Sequence, residues 1–281
     1  MSIITASIVI YNSSKNDIQT VVTCAANSIA NTIYVIDNAP NDNLKEFAQS
    51  LSEKVVYIHG HGNIGYGAAH NIAMQEAVRQ NAEYHLVLNP DIEFANGVVE
   101  TLWNYMEANP KTGQVMPKIL CPKGELQYLC KLIPTPLDLM LKRLVSPKTK
   151  VKRANKFQMK FSGYNSAMNV PFLSGCFMFF RVSALKEIGF FDERFFMYME
   201  DVDITRRMHE KYATMFYPAV EVVHAHAAES HKNIRMLKIH TVNLIRYFNK
   251  WGWFFDKKRH NINKQVLKDL RLNVSTKQQK I

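Results

Sequence analysis

The sequence predicts an α/β fold, a mostly parallel sheet with helices on both faces, followed by a basic, amphipathic helical extension at the C-terminus. Three observations carry this. Short β-branched runs alternate with helix-length segments through roughly the first 110 residues, polar residues close each run, and the last fifty residues turn basic and amphipathic. Parallel strands need crossover connections, and in alternating sequences those crossovers are helices that cover both faces of the sheet.

Residues 6–11 (ASIVIY) read as the first strand, and a helical pattern follows at roughly 15–29. Residues 32–36 (TIYVI) form the second strand, with a helix at about 41–52. Residues 54–58 (KVVYI) form the third, with a helix at about 66–80 in which Ala68 and Ala69 permit close packing. Residues 84–88 (YHLVL) form the fourth, and a helix should follow from about 95 to 109. In such sheets the ligand crevice lies beyond the carboxyl ends of the strands, where Asn12, Asp37, Asn63 and Asp91 fall. Four polar residues at four strand ends form a site pattern.

After residue 113 the pattern becomes irregular, with Pro117, Pro122, Pro134, Pro136 and Pro147. Residues 142–160 carry Lys142, Arg143, Lys148, Lys150, Lys152, Arg153, Lys156 and Lys160 without an acid, which predicts a mobile, solvated loop. Residues 169–181 predict a buried strand, 199–212 a helix, and 214–217 and 220–224 two strands. Domain boundaries are expected at 1–230 for the body, divided into two halves near 112/113, and at 231–281 for the extension.

With 281 residues, 47% of them hydrophobic and 21% charged, the chain suits a globular protein with one substantial core. No stretch reaches the roughly 18 apolar residues that a membrane-spanning helix needs, and no basic leader precedes an apolar run. The expected location is the cytoplasm. Cys24, Cys121, Cys130 and Cys176 form no Cys-x-x-Cys pair, and read as structural thiols. The charge is segregated: residues 231–281 hold nine Lys and four Arg against Asp256 and Asp269, which equals the whole net charge of +11 and leaves the body neutral.

Chemistry is signalled by Glu200, Asp201 and Asp203, three carboxylates hemmed in by Phe195, Phe196, Met197, Tyr198 and Met199. Apolar surroundings raise a carboxylate's pKa toward the range useful to a general base. Leu88-Asn89-Pro90-Asp91 lies about a hundred residues earlier, and together the two segments suggest an enzyme.

The landmarks Val9-Ile10-Tyr11-Asn12, Val35-Ile36-Asp37-Asn38, Gly62-Asn63-Ile64-Gly65-Tyr66-Gly67, Leu88-Asn89-Pro90-Asp91, Phe172-Leu173-Ser174-Gly175, Glu200-Asp201-Val202-Asp203 and Val223-His224 appear in this order over about residues 5–232. In that order and spacing the chain resembles the inverting nucleotide-sugar glycosyltransferases of GT-A-fold family 2, especially the rhamnosyltransferase-like branch. The resemblance implies that Tyr11, Asn12 and Asp37 hold the base and ribose. Asn63 and Gly65 form the next wall of the nucleotide site. Asn89 stands where the family's metal-binding Asp-x-Asp motif has its first acid, which leaves Asp91 as the firm carboxylate ligand, with Glu93 as a possible assistant. His224 completes the metal site, with His226 as its near alternative, and His231 and Lys232 reach phosphate oxygens. Mn²⁺ or Mg²⁺ is the implied cofactor. Asp201 is the implied general base, with Asp203 as its understudy, while Gly175, Glu200 and Asp203 face the acceptor. The implied partners are a nucleotide-diphosphate sugar, dTDP-rhamnose or a UDP-sugar, and a saccharide acceptor linked to a polyprenyl diphosphate.

In the extension, Ile234, Leu237, Trp251, Trp253, Phe254 and Phe255 mix with Lys238, Arg246, Lys250 and Lys257. That composition suits a segment lying on an anionic membrane surface, and equally a helix packed on the catalytic body with its basic face in water. The first option places the enzyme peripherally at the inner face of the cell membrane. A nucleic-acid-binding protein also explains a basic patch with aromatics, but the body is neutral and carries no such module, so no nucleic acid is expected. A nucleotidyltransferase would want a Gly-rich, Lys-containing first loop, and Tyr11-Asn12-Ser13-Ser14 has no glycine.

Overall fold

The computed structural model describes residues 2–139, 146–225 and 234–278. Its sequence-ordered elements begin with β1 (Ile4–Ile10), α1 (Lys15–Ala26), β2 (Thr32–Asp37), α2 (Lys45–Ser50), β3 (Val55–Ile58), α3 (Tyr66–Arg79), β4 (Tyr84–Leu88), β5 (Ile92–Glu93) and α4 (Val98–Ala108). There follow β6 (Thr112–Leu120), β7 (Cys130–Lys131), α5 (Pro136–Leu139), α6 (Pro147–Phe157), β8 (Met168–Asn169), β9 (Phe172–Leu173), β10 (Phe177–Arg181) and α7 (Val182–Ile188). The chain closes with α8 (Glu200–His209), β11 (Ala213–His224), α9 (Ile234–Trp251) and α10 (Lys257–Gln278).

Nine strands form one sheet in the order β3-β2-β1-β4-β10-β6-β11-β5, with β8 also paired to β11. The four N-terminal strands are parallel, as their alternation with helices requires, whereas β10 runs antiparallel to both β4 and β6. Residue parity sorts the two faces. Ile4, Ala6, Ile8 and Ile10 of β1 pack with Ile18, Val21 and Val22 of α1 and Val99 and Leu102 of α4. Val9 packs with Ala69 and Ala73 of α3, while Val87, Met178 and Phe180 meet Leu185 of α7 and Ile204 of α8. The result is three layers, with small Ala side chains letting α3 approach the sheet closely.

One buried polar chain runs through the α3 face. Thr5 Oγ1 lies 2.8 Å from His85 Nδ1, and Ser7 Oγ bridges His85 Nε2 at 2.8 Å and His70 Nδ1 at 2.7 Å. Burial disfavours the imidazolium form, holding His85 down at about 3 and His70 well below its ordinary value. Both histidines are therefore neutral core groups.

Several expectations change. Residues 147–157, expected as solvated loop, form α6: Ser146 Oγ accepts from Thr149 N at 3.4 Å, Pro147 opens the first turn, and good helix formers follow. Residues 169–181 divide into β8, β9 and β10, because the turn at 174–176 is given over to the site. The two strands expected within 214–224 are one, β11, whose pairing with β6 shifts between Tyr217 and Glu221.

The C-terminal helices are part of the core. Leu244, Tyr247 and Phe248 of α9 pack on Phe172, Phe195, Met199 and Val202, and Val266 and Leu270 of α10 join the central cluster. Arg206 of α8, 1% exposed, makes a bidentate pair with Asp256 at 2.7 and 2.9 Å, its guanidinium 3.9 Å from the centre of the Trp251 ring. Asn263 of α10 exchanges two hydrogen bonds with the Ile133 backbone, both at 2.9 Å. No helix among the described residues is long and apolar enough to cross a membrane.

Candidate active site

A cleft of about 1160 Å³ opens at the carboxyl ends of the parallel strands. Its wall includes Tyr11, Asn12, Asn63, Gly65, Asn89, Asp91, Gly175, Glu200, Asp201 and His224. The fold therefore gathers ten of the predicted residues from six separate segments.

At one end, Tyr11 is half exposed and Asn12 holds a left-handed backbone, φ 54°, which turns the chain sharply out of β1. Asn38 joins them: its Nδ2 donates to Gly65 O at 3.1 Å, and its Oδ1 lies 2.9 Å from His61 Nε2. Gly65 has φ +93°, and a Cβ there would lie 2.2 Å from the Phe196 carbonyl oxygen, the atom that accepts from Tyr66 N at 2.8 Å. Glycine is thus required for the α3 entrance to meet the Phe196 loop. Asn63 Oδ1 accepts from Gly65 N at 3.2 Å. Asp37 does not belong to the wall: it is 1% exposed, accepts from Ala39 N at 2.8 Å and receives the Tyr57 hydroxyl.

The centre is set by two antiparallel pairings. Register places Phe177 beside Leu88, and Asn89 N donates to Cys176 O at 2.9 Å, which brings Asn89-Pro90-Asp91 against Gly175-Cys176. On the other side β5 pairs with the end of β11, matching His224 with Ile92. His224 Nε2 consequently lies 3.3 Å from Asp91 Oδ1 and 3.4 Å from Asn89 Nδ2. Its Nδ1 meets Gln127 Oε1 at 3.1 Å, and Gln127 Nε2 donates to His224 O at 2.7 Å. Burial opposes charging His224, but bonding to Asp91 and to the Cys176 sulfur outweighs it and pushes the imidazole up to about 10.

These groups fit a divalent cation. Gln127 accepting from Nδ1–H fixes the tautomer that leaves Nε2 facing Asp91, the orientation a metal-ligating histidine needs. Among the described residues no group of three or more His, Cys, Asp and Glu is arranged to hold a metal ion, and Glu93 is exposed on β5. A cation there would take two ligand atoms from the protein, and oxygens of a phosphorylated ligand would have to supply others.

Across the cleft stands α8. Tyr198 and Met199 are both left-handed, φ 68° and 71°, and this strained turn aims the first residues of α8 inward. Asp201 Oδ1 accepts from Val202 N at 2.8 Å and Oδ2 from Gly175 N at 3.1 Å. Burial raises the pKa of Asp201, against the pull of Lys131 and those two amides. Glu200 is raised further by burial and by the charge of Asp201, and its Oε2 has no hydrogen-bond partner. Of the two acids Glu200 is raised the more and Asp201 ionises first, because Asp201 has the Lys131 cation beside it while Glu200 faces the charge of Asp201. Tyr66 OH donates to Gly175 O at 2.7 Å, bracing the same turn.

Asp203 is placed elsewhere, a correction to its expected acceptor-facing role. It is fully buried, accepts from Arg207 Nε and Trp251 Nε1 at 2.8 Å each, and lies 2.6 Å from Lys250 Nζ. Two residues from Asp201 on a helix is the wrong side: Asp203 points at α9, where it anchors the C-terminal helices. Lys232, His226 and His231 lie outside the described residues. Tyr66, within the Gly62–Gly67 landmark, lines the cleft as well; Gln127 and Lys131 also line it but were not singled out, since nothing local to them announces a site.

Residues 5–189 match the family model for glycosyl transferase family 2. The chain is 28% identical over 214 residues to an N-acetylglucosaminyl-diphospho-decaprenol L-rhamnosyltransferase of Mycobacterium tuberculosis, covering 71% of this chain and 67% of that one. It is 28% identical over 202 residues to the rhamnosyltransferase WbbL of Escherichia coli, covering 68% and 72%. Among solved structures, GalNAc-T7 with UDP, GalNAc and Mn²⁺ superposes with a TM-score of 0.65 at 16% identity, over 89% of this chain and 49% of that one. The mannosyltransferase PcManGT of Pyrobaculum calidifontis, in complex with GDP-Man and Mn²⁺, gives 0.55 at 16% identity, over 98% and 74%. With the matched model spanning most of the chain and the fold agreeing, the protein is a GT-A-fold glycosyltransferase and belongs to glycosyl transferase family 2.

Proposed function

We propose that this enzyme transfers rhamnose from dTDP-rhamnose to a saccharide carried on a polyprenyl diphosphate, with inversion, in the assembly of a bacterial surface polysaccharide. The observation that carries the reading is that Asp201 and the Asp91–His224 pair line one cleft, both anchored to the Gly175–Cys176 turn. The rhamnosyltransferase names of two relatives, one with a diphospho-decaprenol acceptor, favour the donor and acceptor classes.

Tyr11 and Asn12, with Asn38, form the nucleotide end, and Asp37 braces it through Tyr57. Asp91 and His224 would hold Mn²⁺ or Mg²⁺, which when bound neutralises charge growing on the departing diphosphate. Asp201 accepts the proton of the acceptor hydroxyl as that oxygen attacks the anomeric carbon from the face opposite the nucleotide. The Gly175 and Val202 amides hold its carboxylate in place and keep it ionised despite burial. Glu200, protonated, adds no second charge beside the entering alcohol.

The enzyme works at the inner face of the cell membrane. Ile234, Leu237, Val242 and Ile245 are exposed along one face of α9 beside Lys238, and Phe254 and Phe255, 73% and 100% exposed, stand at the corner before α10. Apolar residues flanked by cations suit the interface of an anionic bilayer, where a lipid-linked acceptor resides.

The deciding experiment screens dTDP-rhamnose, UDP-glucose, UDP-GlcNAc and GDP-mannose with Mn²⁺ for thermal stabilisation and for transfer to a synthetic lipid-diphosphate saccharide. Rhamnose transfer with stabilisation by dTDP-rhamnose is the expected result. Selective use of a UDP-hexose would replace the donor assignment, and no turnover with any donor would remove the proposed reaction.

A further inference from the structure

The basic cluster of residues 148–160 faces the reaction, not only solvent. On α6 the residues that enter the cleft wall are Lys150, Arg153, Ala154 and Phe157, spaced i, i+3, i+4 and i+7, which is one face of the helix. The helix carries Lys148, Lys150, Lys152, Arg153 and Lys156 and no acid. A second strand of evidence comes from β7. Leu132 N donates to Phe157 O at 3.0 Å, which sews the end of α6 to the residue after Lys131, itself part of the wall. Lys131 pairs in register with Phe172, its ammonium 4.8 Å from the centre of that ring, and the chain then runs through Ser174 to Gly175, the amide that holds Asp201. Three cations thus line the wall that continues from Asp201, across the cleft from Asp91 and His224.

A neutral saccharide does not call for them. Two carboxylates face them: Asp201 draws on Lys131, and Asp138 is engaged, its Oδ1 2.9 Å from Arg153 Nη2 and its Oδ2 accepting from Thr135 N at 2.9 Å. That pair orients the guanidinium, and the wall keeps a net positive charge. We propose that Lys131, Lys150 and Arg153 form a second diphosphate site, distinct from the one at Asp91, that grips the diphosphate linking the acceptor saccharide to its lipid. The assignment rests on the glycosyltransferase reading above and adds the part of the acceptor that is recognised. Met236 and Ile239 of α9 line the same cleft and offer apolar surface for the first isoprenoid units.

Binding of farnesyl diphosphate is measured by calorimetry in EDTA, so that the Asp91 site cannot take the ligand through a metal. The variants are Lys150→Glu and, as a control of equal charge change on the opposite face of α6, Lys148→Glu. The expected result is a Kd raised roughly tenfold or more in K150E and little changed in K148E, since a charge-assisted contact is lost only in the first. In transfer assays K150E should raise KM for an N-acetylglucosaminyl-diphospho-lipid by a similar factor, with KM for the matching phosphate-free alkyl glycoside and for the donor unchanged. Equal weakening in both variants, farnesol binding as well as farnesyl diphosphate, or equal KM increases for both acceptors would overturn the site. A wild-type enzyme that binds farnesyl diphosphate through Lys150 but transfers no sugar would defeat the proposed reaction alone.

Discussion

At the proposed donor end of the cleft, Tyr11, Asn12 and Asn38 stand at the ends of neighbouring parallel strands, each positioned by the few residues of its own β-strand and turn. At the acceptor end, Asp201, Gly175, Lys131 and α6 come together only through contacts between distant segments, including the C-terminal helices that anchor α8. The first kind of site is built by local pattern and inherits the rigidity of the sheet. The second depends on buried ion pairs and on a strained turn at Tyr198 and Met199, and can vary without disturbing the sheet.

The largest effect is expected at Asp201, the proposed general base. Asp201→Asn is expected to lower transfer by roughly 10²–10⁴-fold, the range for a general base, while donor binding measured by calorimetry stays nearly intact. Unchanged turnover would take the base away from Asp201. Next, the fold should be fragile to loss of Asp256, which would leave buried Arg206 with only Glu210 at 3.9 Å as an ionic partner: Asp256→Ala should cost about 3–5 kcal/mol in urea unfolding. A loss below 1 kcal/mol would mean that the C-terminal helices do not anchor α8. For comparison in the donor half, Ser7→Ala strips both His70 and His85 of a partner and should cost about 1–3 kcal/mol without altering KM for acceptor.

Two smaller effects sharpen the contrast. Phe254→Ser with Phe255→Ser should weaken sedimentation with anionic vesicles several-fold and leave transfer to a soluble acceptor unchanged; undiminished sedimentation would separate α9 and α10 from the membrane. The pH profile tests the acid pair. Because burial raises Asp201, and only its ionised form accepts a proton, kcat should fall as pH drops through a value above the ordinary carboxylate range. Glu200→Gln replaces a neighbour that stays protonated while Asp201 ionises, so the acid limb should stay where it is; a limb moved to lower pH would mean that the two carboxyls titrate together.

The legibility of the site followed the same division. Strand ends are marked by a change from β-branched to polar residues, so Asn12, Asn63 and Asp91 could be read directly. Asp201 was marked by its apolar surroundings and by the family landmarks. Asp203 shows the limit of proximity in sequence: two residues from Asp201, it turns to Arg207, Lys250 and Trp251. Asp37 was rightly seen at a strand end, but its oxygens are taken by Ala39 N and Tyr57. Gln127 carried no signal, because the tautomer of His224 becomes a question only once β11 and the 121–129 segment meet.

Period and composition alone determined the parallel core, the order of its strands and helices, and the polar rim at their ends, because hydrophobic alternation and turn chemistry act over a few residues. The tertiary structure decided which acids face the cleft, which face of α6 its cations line, and that α9 and α10 complete the core. Those outcomes turn on pairings such as Arg206 with Asp256 and Lys131 with Phe172, whose partners lie 50 and 41 positions apart. Attraction between groups so far apart in the chain exists only after the fold has desolvated them together, so no local pattern can encode it.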